Sequence, residues 1–166
     1  IATGSRPRTP AQFEPAGDRL IVNDDVFDWQ DLPESVAVFG AGVIGVELGQ
    51  ALHRLGVRVR LFGRGGGLAG LSDPEVRGYA ARTISSEMRA SLDARDVRIS
   101  RDGGAVVVDF IDDEGQARNE RYDWLLAATG RVSNVDQLAL ENSGLHLDAR
   151  GVPLFDPLTM QASERH

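Results

Sequence analysis

Cysteine and lysine are both missing from the 166 residues. Without cysteine the chain has no disulfide, no thiol chemistry and no cysteine-ligated metal. Without lysine it lacks the Tyr–Lys pair of a single-domain dehydrogenase, and no His–Asp pair is evident either. Histidine is sparse: His53, His146 and His166 are scattered with no partner at ligand spacing, so no metal site is expected. No apolar run is long enough to span a membrane and no signal-peptide pattern is present, so a cytoplasmic location without a membrane partner is expected. There is no basic run, and the net charge is −7, which argues against nucleic acid as a partner. What remains, 42% hydrophobic and 26% charged, is the balance of a globular domain long enough to bury a core.

What is abundant is glycine, and its placement organises the chain. The stretch Val36–Arg64, VAVFGAGVIGVELGQALHRLGVRVRLFGR, reads strand, glycine turn, helix, strand. Val36–Phe39 form a short apolar run of the kind a buried parallel strand shows. Gly40, Gly42 and Gly45 follow at GxGxxG spacing. Ile44, Leu48, Ala51, Leu52 and Leu55 recur at helical intervals, Gly56 ends the helix, and Val57, Val59, Leu61 and Phe62 supply the next strand. Gly40 permits a tight turn, Gly42 lets a pyrophosphate approach the backbone, and Gly45 lets the helix pack close to the sheet. A helix start with unpaired N–H groups and partial positive charge holds phosphate without lysine or arginine, so an anionic cofactor is compatible with the acidic balance. With 19 glycines in 166 residues the spacing alone is weak; its position between strand and helix is what makes it specific.

The rest of the chain follows in order. After Ile1–Ser5 (IATGS), Arg6–Pro10 is expected to break regular structure. Residues 11–31 are turn-rich, with a short strand at Leu20–Val22 and a helical turn at Asp25–Trp29. This opening has too few apolar residues for its own core and reads as a segment packing on something absent. Beyond Arg64, Gly65–Gly70 predicts a mobile loop. A helix then starts at the capping-box pair Ser72 and Glu75 with Pro74 in its first turn, burying Val76, Ala80, Thr83, Ile84 and Met88. From Ala90 to Tyr122 the period shifts to two, with turns at Gly103–Gly104 and Asp112–Gly115, predicting an inserted antiparallel meander. Trp124–Ala128 is the next parallel strand, opening into Thr129–Arg131. A helical turn is expected at Val135–Leu140, and residues 144–166 read as loop and extended chain. The fold class is α/β: a Rossmann-like central parallel sheet with helices and an inserted three-stranded antiparallel meander.

With these parts in place the chain resembles the central NAD(P)H-binding domain of the flavin-dependent pyridine nucleotide–disulfide oxidoreductases, most of all the dihydrolipoamide dehydrogenase-like members. IATGS at Ile1–Ser5 resembles the end of the first flavin-domain segment. GAGVIGVELG at Gly40–Gly49 is similar to the NAD(P)H fingerprint with its trailing glutamate. LLAATGR at Leu125–Arg131 with Asn134 resembles the second ATG box, LENSGLHLDARG at Leu140–Gly151 its continuation, and TMQAS at Thr159–Ser163 the segment before the flavin-binding Gly-Asp box. The resemblance implies that Gly40, Ala41, Gly42, Val43, Ile44 and Gly45 cradle the pyrophosphate and that Glu47 lies near the nicotinamide. It implies that Gly130 lets backbone approach the nicotinamide ribose, that adenine meets backbone near Asp96–Val97, and that Thr3, Gly4 and Ser5 contact FAD in the intact enzyme only. Ser133 stands where the family has proline. The family's FAD fingerprint, redox cysteine pair, Gly-Asp box and dimerisation domain are absent. A start at Ile1 rather than Met fits the same picture, a fragment inactive by itself whose parent is a homodimer. The division implied is 1–30 as a link from the FAD domain, 31–145 as the NAD(P)H domain and 146–166 as the return. Catalytic residues are not expected within it.

The cofactor is NADPH or NADH. The position of the NAD site's ribose-binding acid falls at Gly63, and Arg64 follows; no carboxylate lies between Glu47 and Asp73. An acid repels a 2′-phosphate, whereas arginine pairs with it, so Gly63–Arg64 leans to NADPH. Gly45 as third glycine, and glycines rather than a second basic residue after Arg64, are features of NAD members. The implied function is transfer of hydride from nicotinamide to flavin and on to a disulfide-type acceptor; the alternative is a non-catalytic dinucleotide-binding or redox-sensing module.

Overall fold

Five consecutive residues, Ser35–Phe39, are all buried in the computed structural model, which describes residues 1–163. A strand covered on both faces needs apolar groups at every position, and VAVF supplies them. In chain order the strands are β1 (Ser5–Pro7), β2 (Leu20–Ile21), β3 (Ser35–Phe39), β4 (Arg58–Phe62), β5 (Arg89–Ser91), β6 (Arg95–Asp102), β7 (Ala105–Ile111), β8 (Ala117–Tyr122), β9 (Trp124–Ala127) and β10 (Arg131–Ser133). Helices α1 (Val43–Arg54) and α2 (Pro74–Glu87) and 3-10 turns at Ala11–Arg19, Asp25–Asp28 and Leu140–Asn142 complete it. His166 lies outside the described residues.

The chain forms two compact units, Pro7–Gly130 and a smaller one of Ile1–Arg6 with the segment from Arg131 on. The larger is built on a five-stranded sheet of order β2-β9-β3-β4-β5, every pair parallel. Alternation along β3 sends Val36 and Val38 into a core with Leu52, Ile84 and Met88 of the helical side. Ala37 and Phe39 face a second core with Val106, Val108, Phe110 and Tyr122 of the antiparallel sheet β6-β7-β8. Aromatic rings line that second core: Phe39 stacks on Phe62 at 4.4 Å, Phe13 lies 4.8 Å from Phe39, and Phe110 meets Phe62 edge-on at 4.9 Å. The expected α/β sheet with an inserted three-stranded meander is what the chain forms. Among the described residues no helix is long and apolar enough to cross a membrane.

Several local expectations are corrected. Arg6 and Pro7 belong to strand β1, and only residues 8–10 of the stretch expected to break regular structure do so. Residues 11–19 do not wait for an absent surface, since Phe13 and Ala16 are fully buried in the second core; two side chains on a 3-10 turn suffice and carry no visible period. On α1 the buried line is Gly45, Gly49 and Leu52, while Leu55 is 65% exposed. Gly49 faces the sheet, since a Cβ there would be in ordinary contact with Met88 Cε at 3.6 Å and Val59 Cγ1 at 3.8 Å. Helix α2 is capped by Asp73, not Ser72, its Oδ1 accepting from Glu75 and Val76 N–H at 2.9 and 3.0 Å. Val76 and Thr83 are exposed; Ile84 and Met88 carry the burial. Strand β5 (RAS) has no apolar run and is legible only from its pairing with β4. The late helical turn is at Leu140–Asn142, with Val135 and Leu140 buried.

The smaller unit pairs β1 with β10. Arg131 Nε donates to Ser5 Oγ at 2.7 Å, and Asn134 donates through its backbone N–H to Gly4 O and through Nδ2 to Thr3 O, at 3.0 and 3.1 Å. Arg6 forks onto Asp136 at 3.1 and 2.8 Å. Bridges Leu147–Pro153 and Phe155–Ala162 order the later residues.

One ion pair ties β4 to the meander. Arg60 donates to Glu120 through Nε and Nη2 at 3.0 and 2.8 Å and to Ser91 Oγ at 2.9 Å, and Tyr122 Oη donates to Glu120 as well. The Arg60 and Glu120 side chains are only 14% and 17% exposed. Burial raises the Glu120 carboxyl, but the hydrogen bonds from Tyr122 and Arg60 outweigh it and hold it below the usual range. The folded state therefore favours charged Glu120. That stability is complete above the ordinary carboxylate range and is lost as pH falls through the depressed value. Glu120→Ala, leaving Arg60 unpaired, is expected to cost about 3 kcal/mol near neutral pH. Urea titrations across pH check this; the gap to wild type should narrow toward acid.

Candidate functional site

The sheet's connections reverse direction at β3. From β3 the chain passes through α1 to β4 and on to β5, while β9 returns on the other flank. Ligands of open parallel sheets bind outside the carboxyl ends of the strands at such a switch. Here the two carboxyl ends are joined, Ala128 N–H donating to Phe39 O at 2.7 Å. The three glycines occupy this point.

Each glycine answers a different demand. Gly40 has φ +114°, and a Cβ there would sit 2.2 Å from Ala128 O. A Cβ on Gly45 would sit 1.8 Å from Gly40 O and 3.3 Å from Ala128 Cβ. Both are glycine because protein atoms fill the space. Gly42 is different: a Cβ there meets nothing within 4 Å, and its φ is −75°. No contact or backbone strain within the chain requires glycine at that position.

Gly42 is also the N-cap of α1 and offers no side-chain cap. The first helical bond to it is Val46 N–H to Gly42 O at 3.0 Å. Among the described residues none accepts from the N–H groups of Val43, Ile44 or Gly45. Three donors and the positive end of a twelve-residue helix thus face the space beside Gly42. Ala41 is buried, and its carbonyl accepts from Ala69 N–H at 2.7 Å. Val43 is 53% exposed, Ile44 half-buried, and Glu47, one turn further on, exposed with no partner among the described residues.

Gly63 follows β4, its N–H donating to Ser91 O at 2.8 Å. A Cβ there would lie 2.6 Å from Leu92 O, so no carboxylate side chain fits this position without moving backbone. Arg64 beside it is exposed and unpaired among the described residues. Gly130, beyond β9, has φ +111° with open space around it, and its carbonyl accepts from Arg8 N–H at 3.0 Å. Thus Gly40–Gly45, Glu47, Gly63, Arg64 and Gly130 all belong to the larger unit at or beyond strand carboxyl ends. Thr3, Gly4 and Ser5 belong to the smaller unit, on the partners given above. Sequence reasoning missed the loop's anchors: Leu68 is buried, and Ala69 holds φ +48°, which no residue-type signal announces for alanine. A hollow of about 430 Å³ lined by His53, Arg58, Ser85, Met88 and Arg89 lies at the other end of α1 and contains none of the predicted residues.

Comparison with known proteins shows the family. A family model described as pyridine nucleotide-disulphide oxidoreductase matches residues 1–163. A dihydrolipoyl dehydrogenase of Cupriavidus necator is 32% identical over 91% of the chain. A soluble pyridine nucleotide transhydrogenase of Chromohalobacter salexigens is 34% identical over 91%. In each case the chain spans 32% of the relative's length. The solved LpdA of Mycobacterium tuberculosis superposes with a TM-score of 0.75 at 26% identity, covering 93% of this chain and 33% of that one.

Proposed function

The chain belongs to the pyridine nucleotide–disulphide oxidoreductase family, and from that premise we propose that it binds the diphosphate of NADPH or NADH at the start of α1. The observation that carries this is Gly42. It is the one fingerprint glycine whose missing side chain serves no neighbour in the chain, and it adjoins three N–H groups without acceptors. A dinucleotide's pyrophosphate matches both, needing close backbone approach and N–H donors. The functional division proposed is 31–145 for dinucleotide binding, with 1–30 and 146–166 leading from and to the flavin-binding part.

When bound in the whole enzyme, the nicotinamide supplies hydride to FAD and so to a disulfide-type acceptor, the reading drawn from the family and from relatives named as dihydrolipoyl dehydrogenases. This chain's residues position and exclude. The N–H groups of Val43–Gly45 fix the diphosphate, Glu47 orients the nicotinamide end, and Gly130 gives its ribose access to backbone. Thr3, Gly4 and Ser5 are proposed to meet FAD, and the parent is proposed to be a cytoplasmic homodimer.

Arg64 gives the preference for NADPH. Its guanidinium is free to fork onto a 2′-phosphate, while the position where an acid would bind a bare ribose is closed to side chains by Leu92 O. Calorimetric titration of both cofactors tests this. NADPH should bind more tightly, and Arg64→Ala should weaken NADPH about tenfold, roughly 1.4 kcal/mol, while sparing NADH. Equal binding of both, unchanged by the substitution, would remove the preference.

A further inference from the structure

The glycine run after Arg64 should be mobile by composition, yet it is held at both ends. Gly65 and Gly66 take φ of +65° and +66°. Gly65 N–H donates to Asp93 Oδ1 at 2.8 Å and Gly66 N–H to Leu92 O at 3.1 Å. At the far end Leu68 is 2% exposed and Ala69 is bonded to Ala41. The corner that holds Gly65 and Gly66 is itself held. Asp113, in the β7–β8 turn, accepts from Leu92 N–H at 2.9 Å and from Asp93 N–H at 3.0 Å. That turn is locked by its neighbour Asp112, which is buried and accepts from Glu114 N–H, Gln116 N–H and Arg118 Nε at 3.1, 2.8 and 2.7 Å.

We infer that the inserted meander is a brace for the loop carrying Arg64, and that Asp113 and Asp93 are positioning residues for recognition of the cofactor's adenosine 2′-phosphate. The chain of contacts is continuous: the hairpin turn fixes the corner after β5, and the corner fixes the two residues that follow Arg64. Three adjacent glycines have more conformational freedom to lose than any other tripeptide, so a loose loop would meet its ordering cost during binding. Two carboxylates and one carbonyl remove that cost beforehand. This explains why neither acid needs to touch ligand, and why a loop of such composition can present an arginine in one place. The inference rests on the dinucleotide reading above.

The test uses the 166-residue chain with Asp113→Ala, Asp93→Ala, Asp93→Leu, which keeps the size but has no acceptor, and Asp109→Ala as control. Asp109 sits on the same meander but contacts Asn119, at 2.6 Å. Amide exchange at Gly65 and Gly66 is measured without ligand, and NADPH and NADH affinities beside it. In the first three variants exchange should rise at least tenfold and NADPH affinity fall about tenfold, with NADH affinity changed less than threefold; the control should match wild type. If Asp113→Ala does not fold, Asp93→Leu decides by the same readouts. With a wild type that binds, unchanged exchange in these variants, or an unchanged NADPH-to-NADH ratio, would overturn the brace. A wild type that binds neither cofactor fails the dinucleotide reading instead, and with it the assigned role, whereas unchanged exchange sinks the brace alone.

Discussion

Gly45→Ala should lower the melting temperature by roughly 10 °C or prevent folding, even though alanine is the better helix former. A Cβ at Gly45 would lie 1.8 Å from Gly40 O, and Gly40 cannot retreat because its own Cβ position is 2.2 Å from Ala128 O. Gly40 N–H also donates to Phe62 O at 2.8 Å, so moving it breaks the link between β3 and β4. The clash is backbone on backbone, which side-chain rotation does not relieve. At least about 3 kcal/mol is therefore expected, a large share of a domain's stability. Gly40→Ala should be as severe, since φ +114° adds strain to the collision. Thermal melts followed by circular dichroism check both. A melt within a degree or two of wild type would mean that α1 does not cross the sheet as closely as described.

Gly42→Ala should do the reverse, leaving stability within about 0.5 kcal/mol of wild type. The added methyl meets nothing within 4 Å at φ −75°. Reduced freedom of the unfolded chain and a poorer N-cap act in opposite directions and are both small. Dinucleotide affinity, however, should fall about a hundredfold, roughly 2.7 kcal/mol, because the methyl occupies the space the pyrophosphate enters. Equal affinity in a normally folded Gly42→Ala protein would place the ligand elsewhere. Paired with Gly45→Ala, this substitution separates the glycine kept for packing from the one kept for a ligand.

Much of this was legible in the residues. Val36–Phe39 announced a strand buried on both faces because both faces are in fact covered. Ala105–Ile111 and the Asp112–Gly115 turn announced a hairpin because local turn chemistry and a period of two agree. What was illegible depends on contacts far apart in the chain. Strand β5 is three residues, RAS, defined by β4 beside it. The face of α1 was misjudged because periodicity weighs large apolar side chains, whereas distance to the sheet is set where side chains are missing. At the turn after β3 the separate reasons read for the glycines agree with the backbone: Gly40 has φ +114°, a Cβ on Gly45 would meet Gly40 O, and Gly42 has open space beside it. Gly63 looked like the loss of a ribose-binding acid; Leu92 O shows that the position has no room for one. Asp93 and Asp113 carried no signal, since their partners are backbone N–H groups that any residue supplies.

The central claim is that a dinucleotide's diphosphate rests on the N–H groups that open α1. The most direct measurement is a ¹⁵N–¹H titration of the chain with NADPH. Saturable shifts should centre on the amides of Gly42, Val43, Ile44 and Gly45, and the amides of His53 and Ser85 at the far hollow should stay still. Saturable shifts confined to residues away from the start of α1, or none at millimolar cofactor, would contradict the account.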